Sequence, residues 1–199
     1  MQHSLSRSRF LAVLAVASFS CAPSHGRVDP DLDDKVGGGG TESSDVRTMA
    51  SRMARDLMGN GRLAAEEGRP RLYIMGLTNK SARPIKREMV LEMIQTQIVR
   101  HGGGKFLVLD RSKASLEAIR SERRAKREGA VAGKEKKDLL GSDYVLTGTV
   151  NTISKRGSGG MSSDYWVYSF KLTDLESSEL VWANEYDFKW VGKKPAIYR

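Results

Sequence analysis

The side chains most often used for catalysis and metal binding are scarce in this chain. Its three histidines are His3 and His25, near the N-terminus, and His101, at the end of a predicted helix, and its single cysteine is Cys21. A Ser-His-Asp triad or a histidine and cysteine metal site requires several such groups close together in one fold. We therefore expect no catalytic residues, no metal site and no cofactor, and we interpret His101 as a helix C-terminal residue.

Among these residues, Cys21 is the one whose sequence context indicates a chemical modification. Before it lie Arg7 and Arg9, an apolar run from residue 10 to 17, and the small residues Ser18 and Ser20, which is the layout of a secretory signal too short to span a bilayer. The sequence Ser18-Phe19-Ser20-Cys21 resembles the lipobox of bacterial lipoproteins. We predict a signal peptide over residues 1–20 and lipidation of Cys21. Ordinary signal-peptidase cleavage and a retained N-terminus stay open as alternatives.

The residues after Cys21 have the composition of a linker. Residues 21–44 contain two prolines, the acidic run of residues 29–34 and four consecutive glycines at 37–40. Such a segment buries too little apolar area to offset its chain entropy. We therefore predict a flexible linker over residues 21–44, one folded domain over residues 45–192 and a mobile basic tail over residues 193–199.

The charge of the chain indicates an anionic partner. The formal net charge is +9, and a basic surface attracts nucleic acid, lipid headgroups or an acidic protein patch. Basic residues concentrate in segment 111–137, which is either a solvated helix face or a partner surface. Because the N-terminus indicates export, we expect no nucleic acid partner and favour an acidic protein patch or an anionic envelope polymer. The candidate contacts are Arg120, Arg123, Arg124 and Arg127.

Apolar periodicity predicts an α/β fold. Helix and strand patterns alternate in the first part of the domain, and strand patterns follow one another in the last part. Helical spacing is found from residue 46 to 58, from 85 to 101 and around Leu116 and Ile119, and strand-like runs cover residues 72–77, 106–109, 144–150, 164–173 and 180–190. We predict a mixed central sheet flanked by helices, with a C-terminal antiparallel meander.

Three details of this pattern carry separate predictions. The methionines of the first helix, which Ser44 or Asp45 is expected to cap, should face the core. Gly148, inside a strand, is interpreted as a bulge or a bend. The aromatic residues of the last strand fall on one face, and we expect that face to be mainly core, with an exposed rim as the alternative. They are Trp182, Tyr186, Phe188 and Trp190.

The order of elements and two local sequences resemble a known family. These sequences are Asp143-Tyr-Val-Leu-Thr-Gly148 and Glu179-Leu-Val-Trp182. Over residues 45–190 the chain resembles the LpoB family of penicillin-binding protein activators, which belongs to the wider curli-assembly superfamily of outer-membrane lipoproteins. The matching segments are core strands, so they indicate a fold more directly than a contact surface.

The resemblance implies a role and a location. It implies a monomeric, non-catalytic domain that is lipid-anchored in the outer membrane and faces the periplasm. There it would dock on a class A penicillin-binding protein and stimulate peptidoglycan synthesis. The first alternative is an assembly lipoprotein of the curli-secretion type, which would form rings. The second is a small envelope hydrolase, which the scarcity of catalytic side chains argues against.

Overall fold

The computed structural model describes residues 27–33, 40–134 and 138–193, and within them four α-helices and five strands are found. Apart from one five-residue helix that was not predicted, they follow the predicted order. The elements are α1 (Ser43–Met58), α2 (Gly61–Ala65), β1 (Arg71–Asn79), α3 (Arg87–His101), β2 (Leu107–Val108), α4 (Lys113–Arg127), β3 (Tyr144–Arg156), β4 (Met161–Asp174) and β5 (Leu180–Lys193). The predicted signal peptide, Cys21, residues 22–26 and 34–39 of the predicted linker, residues 135–137 and residues 194–199 of the predicted tail lie outside the described residues.

The strands form one mixed sheet in the order β2-β1-β3-β4-β5. β1 runs parallel to both β2 and β3, whereas β3, β4 and β5 are antiparallel neighbours. Parallel neighbours require crossover connections, here containing α3 and α4, and antiparallel neighbours need only tight turns. The predicted mixed sheet with a C-terminal meander is therefore confirmed.

One face of the sheet carries the core. α1 and α3 pack against each other, α3 lies on β1 and α1 on β5. The apolar stripes of both helices are buried, including Met49 and Met53 of α1, which confirms the prediction for the methionines. Beneath them, Phe188 stacks on Trp166 and Tyr168 with ring centroids 6.1 and 6.3 Å apart.

The aromatic face of β5 belongs to this core. Trp182 is buried, and Tyr186, Phe188 and Trp190 are half-buried and pack against the main cluster. The core interpretation of this face is confirmed. The indole Nε1 of Trp182 also donates a hydrogen bond to Asp56 of α1 over 2.7 Å, so the same strand fixes the helix above it.

The beginning of α1 differs from the prediction. Glu42 is its N-cap, and Asp45 occupies the third helical position. The backbone N–H of Glu42 donates to Asp45 over 3.0 Å, while the Glu42 side chain accepts from the Asp45 backbone. Two acids thus form a reciprocal capping box of the kind usually made by a hydroxyl and an acid. The expected cap at Ser44 or Asp45 was wrong by two or three positions.

A charged pair fixes the start of the parallel strands. The backbone N–H and the Nε of Arg71 donate to Oδ2 of Asp143 over 2.8 and 2.9 Å, and the backbone N–H of Asp143 donates to the Arg71 carbonyl over 2.8 Å. The Arg71 side chain lowers the pKa of Asp143 because it stabilises the carboxylate. The Gly141–Asp143 turn is therefore tied to the first residue of β1.

Gly148 is neither a bulge nor a bend. Its register with Leu77 and Phe170 is regular, and the register shifts of this sheet lie elsewhere, between Ile74 and Gly76 in β1 and between Leu180 and Trp182 in β5. A Cβ at position 148 would lie 2.6 Å from Cε1 of Phe170 and 2.7 Å from Cδ1 of Leu77. A glycine is needed here because two buried side chains close over the strand, so the sequence-based interpretation was wrong.

Replacing Gly148 by alanine should therefore destabilise the protein. We expect Gly148→Ala to lower the free energy of unfolding by about 1–3 kcal/mol, the cost of overpacking a filled core. Urea unfolding followed by circular dichroism measures this difference. Gly76→Ala is the matched control, because a Cβ at position 76 meets nothing within 4 Å. Equal stability of the wild type and Gly148→Ala would refute the close packing described here.

Candidate partner-binding site

The arginines singled out in the sequence all lie on α4, which follows β2 and leads to β3. Its first turn is fixed by polar caps: the Ser112 hydroxyl accepts from the Ser115 backbone over 3.3 Å, and Asp110 accepts from the Ser112 backbone over 2.8 Å. The Ser115 hydroxyl and the Ser112 backbone N–H both donate to Asp110 and lower its pKa. The first turn of the helix is therefore capped by its own neighbouring residues.

The rest of α4 is solvated. None of its side chains is completely buried, and the helix makes no extensive contact with the sheet. Leu116 and Ile119 are half-buried in its first half. Substitutions in the second half of α4 should consequently have little effect on folding.

The four arginines share one side of the helix. At about 100° of rotation per residue, Arg120, Arg124 and Arg127 lie within about 60° of the helix circumference, and Arg123 widens the arc to about 100°. Arg123 is half-buried, and the other three are exposed. The structure thus brings the predicted residues together into one basic surface, which we call the arginine face of α4.

The acidic residues of α4 do not neutralise this face. Glu117 pairs with Lys113 over 4.0 Å, and Glu122 pairs with Lys126 over 3.2 Å. Among the described residues, no salt bridge involves Arg120, Arg124 or Arg127. Three guanidinium groups are therefore available to an anionic surface.

A second surface was not foreseen from the sequence. The sheet face opposite α1 and α3 carries polar residues in register across the strands, such as Thr149, Ser169 and Glu185. The Ser169 hydroxyl donates to Glu185 over 2.8 Å, and the Tyr165 hydroxyl donates to Asp187 over 2.9 Å. The alternation of apolar and polar positions in the last two strands was the available signal, since it predicts one buried and one exposed face.

A buried ion pair was also missed. The side chain of Asp164, in β4, is only 7% exposed and accepts from Arg83 over 2.8 Å and from the Ser154 hydroxyl. Arg83 belongs to the loop between β1 and α3, so this pair fastens the loop to the meander. An aspartate inside an apolar strand pattern was the only sequence signal, and it does not identify a partner. The Asp164 carboxylate is buried and the Arg83 side chain is 38% exposed, so the pair is partly buried and its role here is structural.

The histidine of the folded part has a structural role. His101 ends α3, and its ring Nε2 forms a 2.8 Å hydrogen bond with Gln97 one turn earlier. Among the described residues, no group of three or more histidine, cysteine, aspartate or glutamate side chains is arranged so that it could hold a metal ion. Within the same residues, none of the helices has both the length and the apolar character required to cross a lipid bilayer.

A match to the sequence model of a protein family identifies the family of this chain. The model of the family described as peptidoglycan-synthase activator LpoB matches residues 45–188, which include most of α1, most of the sheet and all of α4. The chain belongs to the LpoB family. Its general role is therefore that of the family, the activation of a peptidoglycan synthase. No curated protein sequence matches the chain.

Solved LpoB structures resemble this fold at low identity. The LpoB C-terminal domain from Escherichia coli is 13% identical, with 72% of this chain and 98% of that chain covered and a TM-score of 0.42. The Salmonella enterica domain is also 13% identical, with 72% and 94% covered and a TM-score of 0.37. Lipoprotein GNA1162 from Neisseria meningitidis is 13% identical, with 64% and 88% covered and a TM-score of 0.34. Because these identities and TM-scores are low, the assignment of the chain to the LpoB family rests on the match to the family model.

Proposed function

We propose that this protein is a non-catalytic lipoprotein that docks on a class A penicillin-binding protein and stimulates its synthesis of peptidoglycan. The observation that carries the proposal is the LpoB family match over residues 45–188. A regulator needs a stable domain and an accessible surface, and it needs no catalytic groups of its own. The buried core provides the stable domain, and the solvated α4 provides the accessible surface.

The proposed anchor is a lipid on Cys21. It would hold the chain at the outer membrane, facing the periplasm, since acyl chains add about 0.8 kcal/mol of membrane affinity per buried methylene. The tether from Ala22 to Thr41, which ends at the Glu42 cap of α1, would reach at most roughly 70 Å when fully extended. The domain would thus search a limited layer of the envelope.

Cys21→Ser tests the anchor. We expect this substitution to move the chain from the membrane fraction to the soluble fraction of the envelope and to abolish incorporation of a labelled fatty acid. Ser20→Ala, next to it, is the control and should leave the chain in the membrane. Membrane association that survives Cys21→Ser would eliminate lipidation as the anchor.

The proposed docking surface is the arginine face of α4. Its exposed guanidinium groups are suited to bidentate hydrogen bonds with carboxylates, so we expect an acidic patch on the synthase. Exposed charges act mainly on the rate and specificity of association. Binding should therefore weaken as salt rises and the Debye length shortens.

Reversing these charges tests both the partner and the surface. The full chain, solubilised in detergent, is used to capture proteins from an envelope extract of the organism that makes it. We expect a class A penicillin-binding protein among the captured proteins, and a loss of at least tenfold when Arg120, Arg123, Arg124 and Arg127 are all replaced by glutamate. Because α4 buries no side chain completely, the melting temperature should stay within a few degrees of the wild type.

A matched control separates a specific surface from net charge. Glutamate at four other basic positions of β3 and β5 produces the same change in net charge far along the sheet from α4, and we expect capture to persist. These positions are Lys155, Arg156, Lys189 and Lys193. Undiminished capture by the α4 variant would exclude this surface, and the absence of any such synthase from the wild-type sample would contradict the proposed partner.

A further inference from the structure

The acidic part of the linker lies against α1. Asp31 receives a two-pronged contact from the Arg47 guanidinium, through Nε and, over 3.3 Å, through Nη2. The Ser43 hydroxyl donates to the carbonyl of Pro30 over 2.9 Å. Both donors lie on the first two turns of α1, so they form one recognition site for a short acidic segment.

The acidic segment forms hydrogen bonds of its own, in addition to its contacts with the helix. The backbone N–H of Leu32 donates to the Asp29 carbonyl over 3.2 Å, and the backbone N–H of Asp31 donates to the Asp29 side chain over 3.0 Å. These bonds form a turn around Pro30, whose ring restricts the backbone. A turn of this kind loses less conformational entropy on docking than an open chain does.

The site continues as a groove between α1 and α3. Its volume is about 330 Å³, and Asp31 and Arg47 lie at one end. Arg55, eight residues later on α1, also lines it, about 12 Å along the helix axis. The lining residues are Asp31, Arg47, Thr48, Ser51, Arg55, Met93 and Gln97. Two arginines and several hydroxyl and amide groups suit carboxylates better than an apolar ligand.

The charges around the site include both an attractive pair and neighbouring acidic groups that repel one another. The Asp31 carboxylate raises the pKa of Arg47 through its hydrogen bond and its charge. Burial raises the pKa of Asp45, the hydrogen bond from the Glu42 backbone lowers it, and the charges of Glu42 and Asp33 raise it further. Because Arg47 and Asp31 are about half exposed, their attraction is weakened by water and salt. Docking should therefore weaken as the salt concentration rises.

We propose that Ser43, Arg47 and the groove between α1 and α3 form a carboxylate-binding site whose occupant is the chain's own Asp29–Asp33 turn, and that this docking sets the free length of the tether. The short connection between turn and helix gives the segment an effective concentration on the order of millimolar, which favours it over acidic segments of other proteins. The site is thus an internal latch.

The latch changes the reach of the domain, if the proposed anchor at Cys21 is correct. With the turn docked, only Ala22–Val28 lie between the anchor and the domain, and seven extended residues span at most about 25 Å. With the turn released, residues 22–41 are available and span at most about 70 Å. Release would therefore let the domain reach almost three times as far from the membrane.

Backbone dynamics test the latch independently of lipid and partner. In the full chain in detergent micelles, we expect nitrogen-15 order parameters of Asp29, Asp31 and Leu32 near the rigid value of about 0.85, and below about 0.6 in Arg47→Glu. Sodium chloride at about 1 M should have a similar effect, because it shortens the Debye length to about 3 Å. The amides of α1 and of the sheet should stay rigid throughout, which shows that the domain remains folded.

A charge swap and a control variant show whether the Arg47–Asp31 ion pair is what orders the turn. Adding Asp31→Arg to Arg47→Glu re-creates an opposite pair and should restore the order of the turn, while Arg120→Glu on α4 should change nothing. Flexible Asp29–Asp33 amides in the wild type, or a turn that stays ordered in Arg47→Glu, would overturn the proposal. Neither outcome depends on capture of a synthase, so failure of the latch and failure of the proposed function are distinguishable.

Discussion

The structure depends on the burial of a single face of the sheet. Helices α1 and α3 cover the aromatic side of β4 and β5, where Trp166, Tyr168 and Phe170 are each 1% exposed. Burying a large apolar side chain stabilises a protein by about 1.5–3 kcal/mol, so this layer holds the domain together. Because two helices are enough to cover it, much of the opposite face of the sheet and most of α4 are left to solvent.

This division suits a protein that acts by contact. The parts that carry stability, namely the aromatic layer, Gly148 and the Arg71–Asp143 pair, lie away from the arginine face of α4. That face can therefore be charged and solvated without cost to the fold. Activation of a synthase, the role of the family, requires a surface that the partner can reach, and the Ser112 and Asp110 caps fix the first turn of the helix that carries this surface.

Much of the fold could be predicted because its signals are local. Period-2 alternation in β4 and β5 and helical spacing in α1 and α3 identify buried faces from neighbouring residues alone. Gly148 could not be interpreted correctly, since its requirement comes from Leu77 and Phe170, which are distant in sequence. The capping box of α1 was misplaced because two acids form it, and α2 was not foreseen because five residues carry almost no periodic signal.

The candidate site was accessible to prediction only in part. The arginines of α4 could be named because a run of basic residues is visible in the sequence, and helical geometry then places them on one side. The site on α1 could not, since Arg47 meets Asp31 only through the fold of the chain. Cys21 and the tail lie outside the described residues, so lipidation stays a prediction.

The central claim is that this chain activates a class A penicillin-binding protein by binding it. The direct measurement is the rate at which the purified synthase of the same organism polymerises glycan strands as the full chain is added. The account predicts a rate that rises to a plateau, and a half-maximal concentration at least tenfold higher for the variant with glutamate at the four α4 arginines. A synthase rate that stays unchanged at saturating concentrations of the bound wild-type chain would contradict the account.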